Sequence, residues 1–308
     1  MSRNILAVDI GGSKLMVGVV DLNGRVWKKL KRELPARYDE NFLVSTVCEM
    51  AEELGEGAYE LCGISVPGIA DAHSGQWLYA PFSGISDFPI ASIVSDKLGV
   101  MAFADNDVNL CALAEKYFGS CRHTENFLWV TVSNGIGGGL VLDGELYRGR
   151  DGIAGEFGHL SVTDREDAVC DCGLCGCVEA VASGRAIKAA YLKETGRQMS
   201  AKDIAVLARS GDKPAAKVYF EAGYYLGRAI SSAASLLNIE RAVLGGGVSM
   251  DLYLLLPGID EGLRRHCFAK SAAGLKIEGT ALGYDAALIG CAALVKEKIE
   301  NGQCKIFV

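Results

Sequence analysis

Short apolar runs closed by turn residues open the chain, and helical spacing follows them. Ile5-Leu6-Ala7-Val8-Asp9 reads as a buried strand and Ile10-Gly11-Gly12-Ser13-Lys14 as the turn after it. Leu15 to Val20 predicts a second strand. Asn23-Gly24 is a two-residue hairpin signal that leads to a third strand, Arg25 to Leu30. Phe42, Val47, Met50, Ala51 and Leu54 recur at helical spacing, and Leu61 to Val66 is a strand ending at Pro67-Gly68. Pro89 to Leu98 predicts a short helix and Val100 to Ala104 a strand. Val108 to Tyr117 is a helix with Leu110, Leu113, Ala114 and Tyr117 on one face.

The pattern then restarts. Asn126 to Ser133 is a strand, Asn134-Gly135-Ile136-Gly137-Gly138-Gly139 a glycine turn, and Leu140 to Leu142 a strand before an Asp143-Gly144 hairpin turn. The duplication is too long for a solenoid repeat, so it predicts two related α/β halves facing each other across a cleft. The change of domain is expected near Asn109–Phe118. That gives an N-terminal domain of residues 1–115, with a C-terminal helix at about 290–308 packing back on it, and a larger domain of residues 116–289. After Cys177 the chain is mainly helical, at Glu179–Glu194, Ala201–Arg209, Pro214–Leu237 and Asp285–Ile299, with one strand, Arg241–Leu244, ending in Gly245-Gly246-Gly247.

Composition narrows the classes. The chain has 308 residues, half of them apolar, which excludes disorder. Lys and Arg number 31 against 38 Asp and Glu, and the resulting −7 opposes a nucleic-acid partner. No membrane span is expected, because the best candidate, Ala286 to Val295, is stopped by Asp285 and Lys296. Ile5 to Val8 is too short for a signal-peptide core, so a cytoplasmic protein with reduced thiols is expected.

Several segments carry candidate chemistry. Successive N–H groups in a glycine turn make an anion-binding concavity, and two such turns in equivalent places of a duplicated fold point to phosphate. Asp9, the one charge in its strand, either caps nearby N–H groups or holds a hydrated Mg²⁺ on a nucleotide. No G-x-x-x-x-G-K-[ST] occurs, and Leu140 breaks a dinucleotide fingerprint after Gly135-Ile136-Gly137. Ala104-Asp105-Asn106-Asp107-Val108-Asn109 spans a strand end and a helix start. Its acidic density exceeds what a cap needs, and a carboxylate there can accept a proton from an attacking alcohol. His159 with Cys170, Cys172, Cys175 and Cys177 has the donor set of a structural zinc site. Glu156 and Glu179 flank that loop, as salt-bridging residues or as partners of sugar hydroxyls.

Together these motifs resemble the ROK family of sugar kinases and sugar-responsive repressors, within the actin/hexokinase-like ATPase fold of two ribonuclease H-like lobes. Asp9-Ile10-Gly11-Gly12-Ser13-Lys14 is similar to that family's first phosphate loop, and Val66-Pro67-Gly68 to its sugar-side turn. Asn106-Asp107-Val108-Asn109 is similar to its catalytic segment, and Gly135-Ile136-Gly137-Gly138-Gly139 to its second phosphate loop. Gly155-Glu156-Phe157-Gly158-His159 with the cysteine motif through Glu179 resembles its zinc signature, and Leu244-Gly245-Gly246-Gly247 its adenosine loop.

The resemblance implies Asp107 as general base, with Pro67, Gly68, Asn106, Glu156, His159 and Glu179 around the sugar. It implies zinc on His159, Cys170, Cys172 and Cys177, with Cys175 a bystander. Nucleotide contacts are expected from Asp9 (through Mg²⁺), Gly11, Gly12, Ser13, Lys14, Asn134, Gly135, Gly137, Gly138, Gly246 and Gly247. Asn134 stands where a hydroxyl residue is usual, so altered nucleotide affinity is expected. The expected activity is ATP-dependent phosphorylation of a hexose, glucose at C6 first, with N-acetylhexosamines, fructose or allose as alternatives. The contacts that discriminate these sugars are expected around Pro81–Pro89. A non-catalytic sugar sensor is the reading from another class; with eight residues before Asp9, no DNA-binding module is expected there. A homodimer is the expected assembly.

Overall fold

A computed structural model of the chain describes residues 4–55, 57–79 and 84–304. Pro81, Phe82 and Ser83 of the segment expected to discriminate sugars lie outside the described residues. So do residues 305–308 of the helix expected to run to the end of the chain. The chain divides into two compact units, one of Met1–His123, Arg148–Ala154 and Asp285–Val308, the other of Thr124–Tyr147 and Gly155–Tyr284.

In the first unit the order is β1 (Asn4–Ile10), β2 (Lys14–Asp21), β3 (Val26–Glu33), α1 (Glu40–Leu54), β4 (Leu61–Val66), β5 (Ile69–Asp71), β6 (Gln76–Tyr79), β7 (Ser86–Phe88), α2 (Ile90–Leu98), β8 (Met101–Asn106) and α3 (Asp107–Tyr117). Five strands form a sheet in the order β3-β2-β1-β4-β8. The hairpin between β2 and β3 is built by buried Asp21, whose Oδ1 accepts the Asn23 and Arg25 N–H groups. Strands β1, β4 and β8 are parallel and in register, with Asp9 opposite Ser65 and Ser65 opposite Asp105. Their carboxyl ends therefore deliver polar side chains to one edge, the place where open α/β sheets bind ligands. Helix α1 buries Leu43, Val47, Met50, Ala51 and Leu54 on the sheet. Phe42, read as part of that face, is instead 44% exposed. The last helix of the unit, Ala286–Glu300, is buried on most sides and packs on β1, β4 and α3. The small three-stranded sheet β5-β6-β7 has no counterpart in the sequence reading, because its strands are too short to show a period.

The second unit contains β9 (Phe127–Val132), β10 (Ile136–Leu142), β11 (Glu145–Tyr147), α4 (Val178–Ala182), α5 (Gly184–Thr195), α6 (Ala201–Arg209), α7 (Lys213–Leu237), β12 (Arg241–Gly245), α8 (Leu252–His266), α9 (Ala269–Ala272) and β13 (Lys276–Gly279). Its sheet order, β11-β10-β9-β12-β13, repeats the first with the same two antiparallel and two parallel pairings. The expected α/β fold with two related sheets is therefore present.

Three local readings change. Gly137, Gly138 and Gly139 are not turn residues; they lie in β10 opposite Thr131, Val130 and Trp129. A Cβ on Gly138 would come within 2.5 Å of the Phe157 Cβ, so this glycine lets the 155–159 loop lie on the strand. The helix expected over Glu179–Glu194 breaks at Ser183, whose extended backbone and Oγ cap α5 at the Ala186 N–H. Helix α8 goes unpredicted because Pro257 sits inside it. Gly258 and Gly262 offset that cost by bringing its backbone against Phe220 and Tyr224 of α7, an approach that any side chain would block.

Candidate functional site

The first cluster lies at the carboxyl ends of β1, β4 and β8. Asp9 Oδ1 accepts the Ser65 hydroxyl at 2.8 Å. Its Oδ2 makes no hydrogen bond among the described residues, which fits a carboxylate open to the waters of a hydrated Mg²⁺. Burial is the first cause that pushes the Asp9 carboxyl up; the Ser65 hydrogen bond and Lys14 oppose it. In the following turn the Gly11 N–H is bonded to the Lys14 carbonyl at 2.9 Å. The N–H groups of Gly12 and Ser13 make no hydrogen bond among the described residues, so they remain free to serve an anion.

Asn106 and Asp107 start α3. Asn106 is the cap: its Oδ1 accepts the Val108 and Asn109 N–H groups at 2.9 and 3.1 Å. Its Nδ2 donates to the Gly68 carbonyl at 2.7 Å and to Asp107 Oδ1 at 3.0 Å. Gly68 adopts φ of 87°, a left-handed backbone that a side chain would strain. The Pro67-Gly68 turn and the start of α3 are thus fastened by one amide. Asp107 Oδ1 also accepts the Val108 N–H at 3.0 Å, while Oδ2 makes no hydrogen bond among the described residues. Burial first, then the negative charge of Asp9, pushes the Asp107 carboxyl up to about 7, against the opposing pull of its hydrogen bonds.

Arg148 and Glu297, which the sequence reading passed over, and Asp105, read there only as part of the acidic run, support this segment. Asp105, 1% exposed, accepts the Asn106 N–H at 2.7 Å and the Arg148 Nε at 2.9 Å. Arg148 also holds Glu297 at 2.7 Å. These partners are 43 and 149 positions apart, so no local signal joins them.

The second cluster belongs to the other unit. His159, Cys170, Cys172 and Cys177 offer donor atoms that all lie within 4.8 Å of one another. Cys170 Sγ is 3.7 Å from His159 Nδ1, and Cys172 Sγ 3.7 Å from Cys177 Sγ. Donors around a tetrahedral zinc with Zn–S near 2.3 Å sit about 3.7 Å apart, so the set fits zinc. None of the cysteines is in a disulfide. Two paired bridges, Ser161 with Cys177 and Val169 with Cys175, shape the loop. Cys175 itself is exposed, its Sγ directed to the Glu166 carbonyl at 3.7 Å. His159 presents Nδ1 to the thiols and Nε2 to Glu156, 3.7 Å away.

Glu179 is more engaged than its sequence position suggested. Its Oε2 accepts the Ile136 N–H at 2.8 Å, and its Oε1 accepts Arg185 at 2.9 Å. Arg185 also bonds the Asn134 carbonyl at 3.1 Å and pairs with Asp171 of the cysteine loop. Glu179 and Arg185 therefore tie that loop to the Asn134-Gly135 turn. Arg185 is a functional candidate that sequence reasoning missed, because its partners lie 6, 14 and 51 positions away and no repeating spacing joins them. At the end of β12, Gly246 takes φ of 89° and Gly247 faces open space.

No helix among the described residues is long and apolar enough to cross a membrane. A family model described as the ROK family matches residues 5–298. The chain is 30% identical to a glucokinase from Thermotoga maritima, over 96% of this chain and 98% of the relative. It is 29% identical to the DNA-binding transcriptional dual regulator NagC from Escherichia coli, over 98% of this chain and 78% of the relative. The structure of a ROK family glucokinase from Streptomyces griseus in complex with glucose and AMPPNP superposes with a TM-score of 0.84 at 30% identity, covering 96% of this chain and 99% of that one. Paired sheets of one topology, a His-Cys₃ cluster that fits zinc, and a family match along nearly the whole length agree: the chain belongs to the ROK family.

Proposed function

We propose that this protein is an ATP-dependent kinase that transfers the γ-phosphoryl group to a hexose hydroxyl, with glucose at C6 the first candidate. The observation that carries the reading is Asp107. It is a half-buried carboxylate with one oxygen fixed, the other free, and a titration pushed up to about 7. A base whose pKa lies near the working pH combines a useful ionised fraction with real proton affinity. Asp107 Oδ2 takes the hydroxyl proton as the sugar oxygen bonds to phosphorus and the bond to the leaving ADP breaks. Asn106 and the Gly68 turn orient that hydroxyl, and Glu156, His159 and Glu179 hold others. The free N–H groups of Gly12 and Ser13, with those of the Asn134-Gly135 turn, receive phosphate oxygens. Asp9 would hold Mg²⁺ through water, which supplies neutralisation of phosphate charge. Zinc on His159, Cys170, Cys172 and Cys177 would brace the loop that carries Glu156. A homodimer belongs to the same proposal and is checked by mass in solution.

The match to a transcriptional regulator supports a second reading, a sugar-sensing protein without turnover. One experiment separates the two. A panel of hexoses and N-acetylhexosamines is incubated with Mg-ATP, and ADP release is recorded. Release with glucose that Asp107→Asn reduces about 10²–10⁴-fold supports the kinase. Binding without turnover across the panel supports the sensor, and near-normal turnover in the variant overturns Asp107 as base.

A further inference from the structure

We propose that Arg148 is a positioning residue for Asp107, acting through the buried carboxylate of Asp105; the inference rests on the reading of Asp107 as base. Asp105 ends β8, immediately before the segment it serves. Its Oδ1 accepts the Asn106 N–H at 2.7 Å and the Asn109 Nδ2 at 3.2 Å, one residue before Asp107 and two after it. Its Oδ2 accepts the Arg148 Nε at 2.9 Å. The opposite edge of the same guanidinium reaches Glu297 through two nitrogens, at 2.7 and 3.4 Å. Side-chain exposure is 1% for Asp105, 10% for Glu297 and 25% for Arg148. Two carboxylates are thus taken out of water against one cation whose planar fork serves both at once. Lys298, next along the last helix, donates to the Ala72 carbonyl at 2.7 Å and adds a second positive charge nearby.

Asp105 cannot do its work alone. Without Arg148 it would be an unpaired buried carboxylate two residues from the base. It would then take up a proton, draw in water, or set a like charge beside Asp107. Each outcome slackens the Asn106 N–H anchor and moves the peptide that carries the base. A displacement of that size matters, because proton transfer requires Asp107 Oδ2 within hydrogen-bond reach of the hydroxyl. Arg148 touches no substrate in this account; it acts by holding Asp105.

The test uses Arg148→Lys, which keeps the charge and loses the fork, beside Arg148→Met and Glu297→Gln, in the whole protein. In Arg148→Lys, kcat for the best sugar should fall about 10- to 100-fold while the nucleotide KM stays within about threefold. Hydrogen exchange read by mass spectrometry should speed up at least about tenfold at the amides of residues 106–109, with β1 and β4 unchanged. Glu297→Gln, which leaves Arg148 on Asp105, should sit near the wild type in both readouts. A merely structural arginine would lower the unfolding midpoint without moving kcat or local exchange in the folded protein. Wild-type kcat in Arg148→Lys, with or without faster exchange, overturns the proposal, as does unchanged exchange at 106–109. If Arg148→Met does not fold, the lysine variant still decides. If the wild type releases no ADP with any sugar, the kinase reading has failed, and the exchange data alone then decide whether Arg148 anchors this segment.

Discussion

Replacing Asp107 by Asn should make the protein more stable as pH rises, by an amount the site itself supplies. The substitution keeps the shape of the side chain and leaves an oxygen to accept from the Val108 N–H and from Asn106 Nδ2. What it removes is a carboxyl displaced from 3.8 to about 7, chiefly by burial and next by the charge of Asp9. The folded form binds this proton more tightly than the unfolded chain does. Stability from the group is therefore full below about pH 4, declines as pH rises, and is flat again above about pH 7. At about 1.4 kcal/mol for each tenfold change in proton affinity, this displacement sets a ceiling of about 4 kcal/mol, and water entering around a half-buried carboxylate reduces it to roughly 2 kcal/mol. Urea unfolding of both proteins between about pH 3.5 and pH 8 reads the difference directly. The Asn variant should match the wild type at the acid end and gain steadily to about pH 7. The same titration should appear as a rise in wild-type kcat/KM through about pH 7, with the variant active only about 10²–10⁴-fold more weakly. A stability difference independent of pH, or a variant less stable than the wild type at pH 8, would refute the account of a carboxylate held near neutrality.

Two further predictions concern the second unit. Cys172→Ser, or removal of zinc by a chelator, should weaken sugar binding at least about tenfold by freeing the loop of Glu156. Nucleotide binding should fall by a smaller factor, since Glu179 and Arg185 link the loop to the Asn134-Gly135 turn; calorimetry with sugar and a non-hydrolysable nucleotide measures both, and full sugar affinity in a zinc-free sample rejects the link. Gly138→Ala places a Cβ 2.5 Å from Phe157 and 2.9 Å from the Gly155 carbonyl. It should cost about 1–3 kcal/mol, read as a lowered unfolding midpoint; a neutral result would mean that the 155–159 loop does not bear on β10.

The parts of the protein that were legible in the chain are those whose physics is local. A buried strand announces itself as an apolar run such as Ile5–Val8. The Asn23-Gly24 hairpin declares its turn, and the recurrence of both near residue 126 exposes the paired sheets. The His-Cys₃ cluster was legible because three of its four members lie within eight positions. Asp107 was legible as a candidate because too many acidic and amide groups crowd one helix start.

Tertiary structure alone decided the rest, because it depends on which distant groups share a place without water. The acidic run marks Asp105 as one of several candidates, but its burial and supporting role appear only when Arg148 and Glu297 close on it. Arg185 reads as an ordinary helix arginine until Glu179, Asp171 and the Asn134 carbonyl meet it. Pro257 argues against a helix that glycine contacts with α7 nevertheless stabilise. Most of all, the titration of Asp107 near neutrality is not a property of the residue. It comes from burial at the ends of three parallel strands and from the charge of Asp9, two strands away, and a chain without its fold has neither.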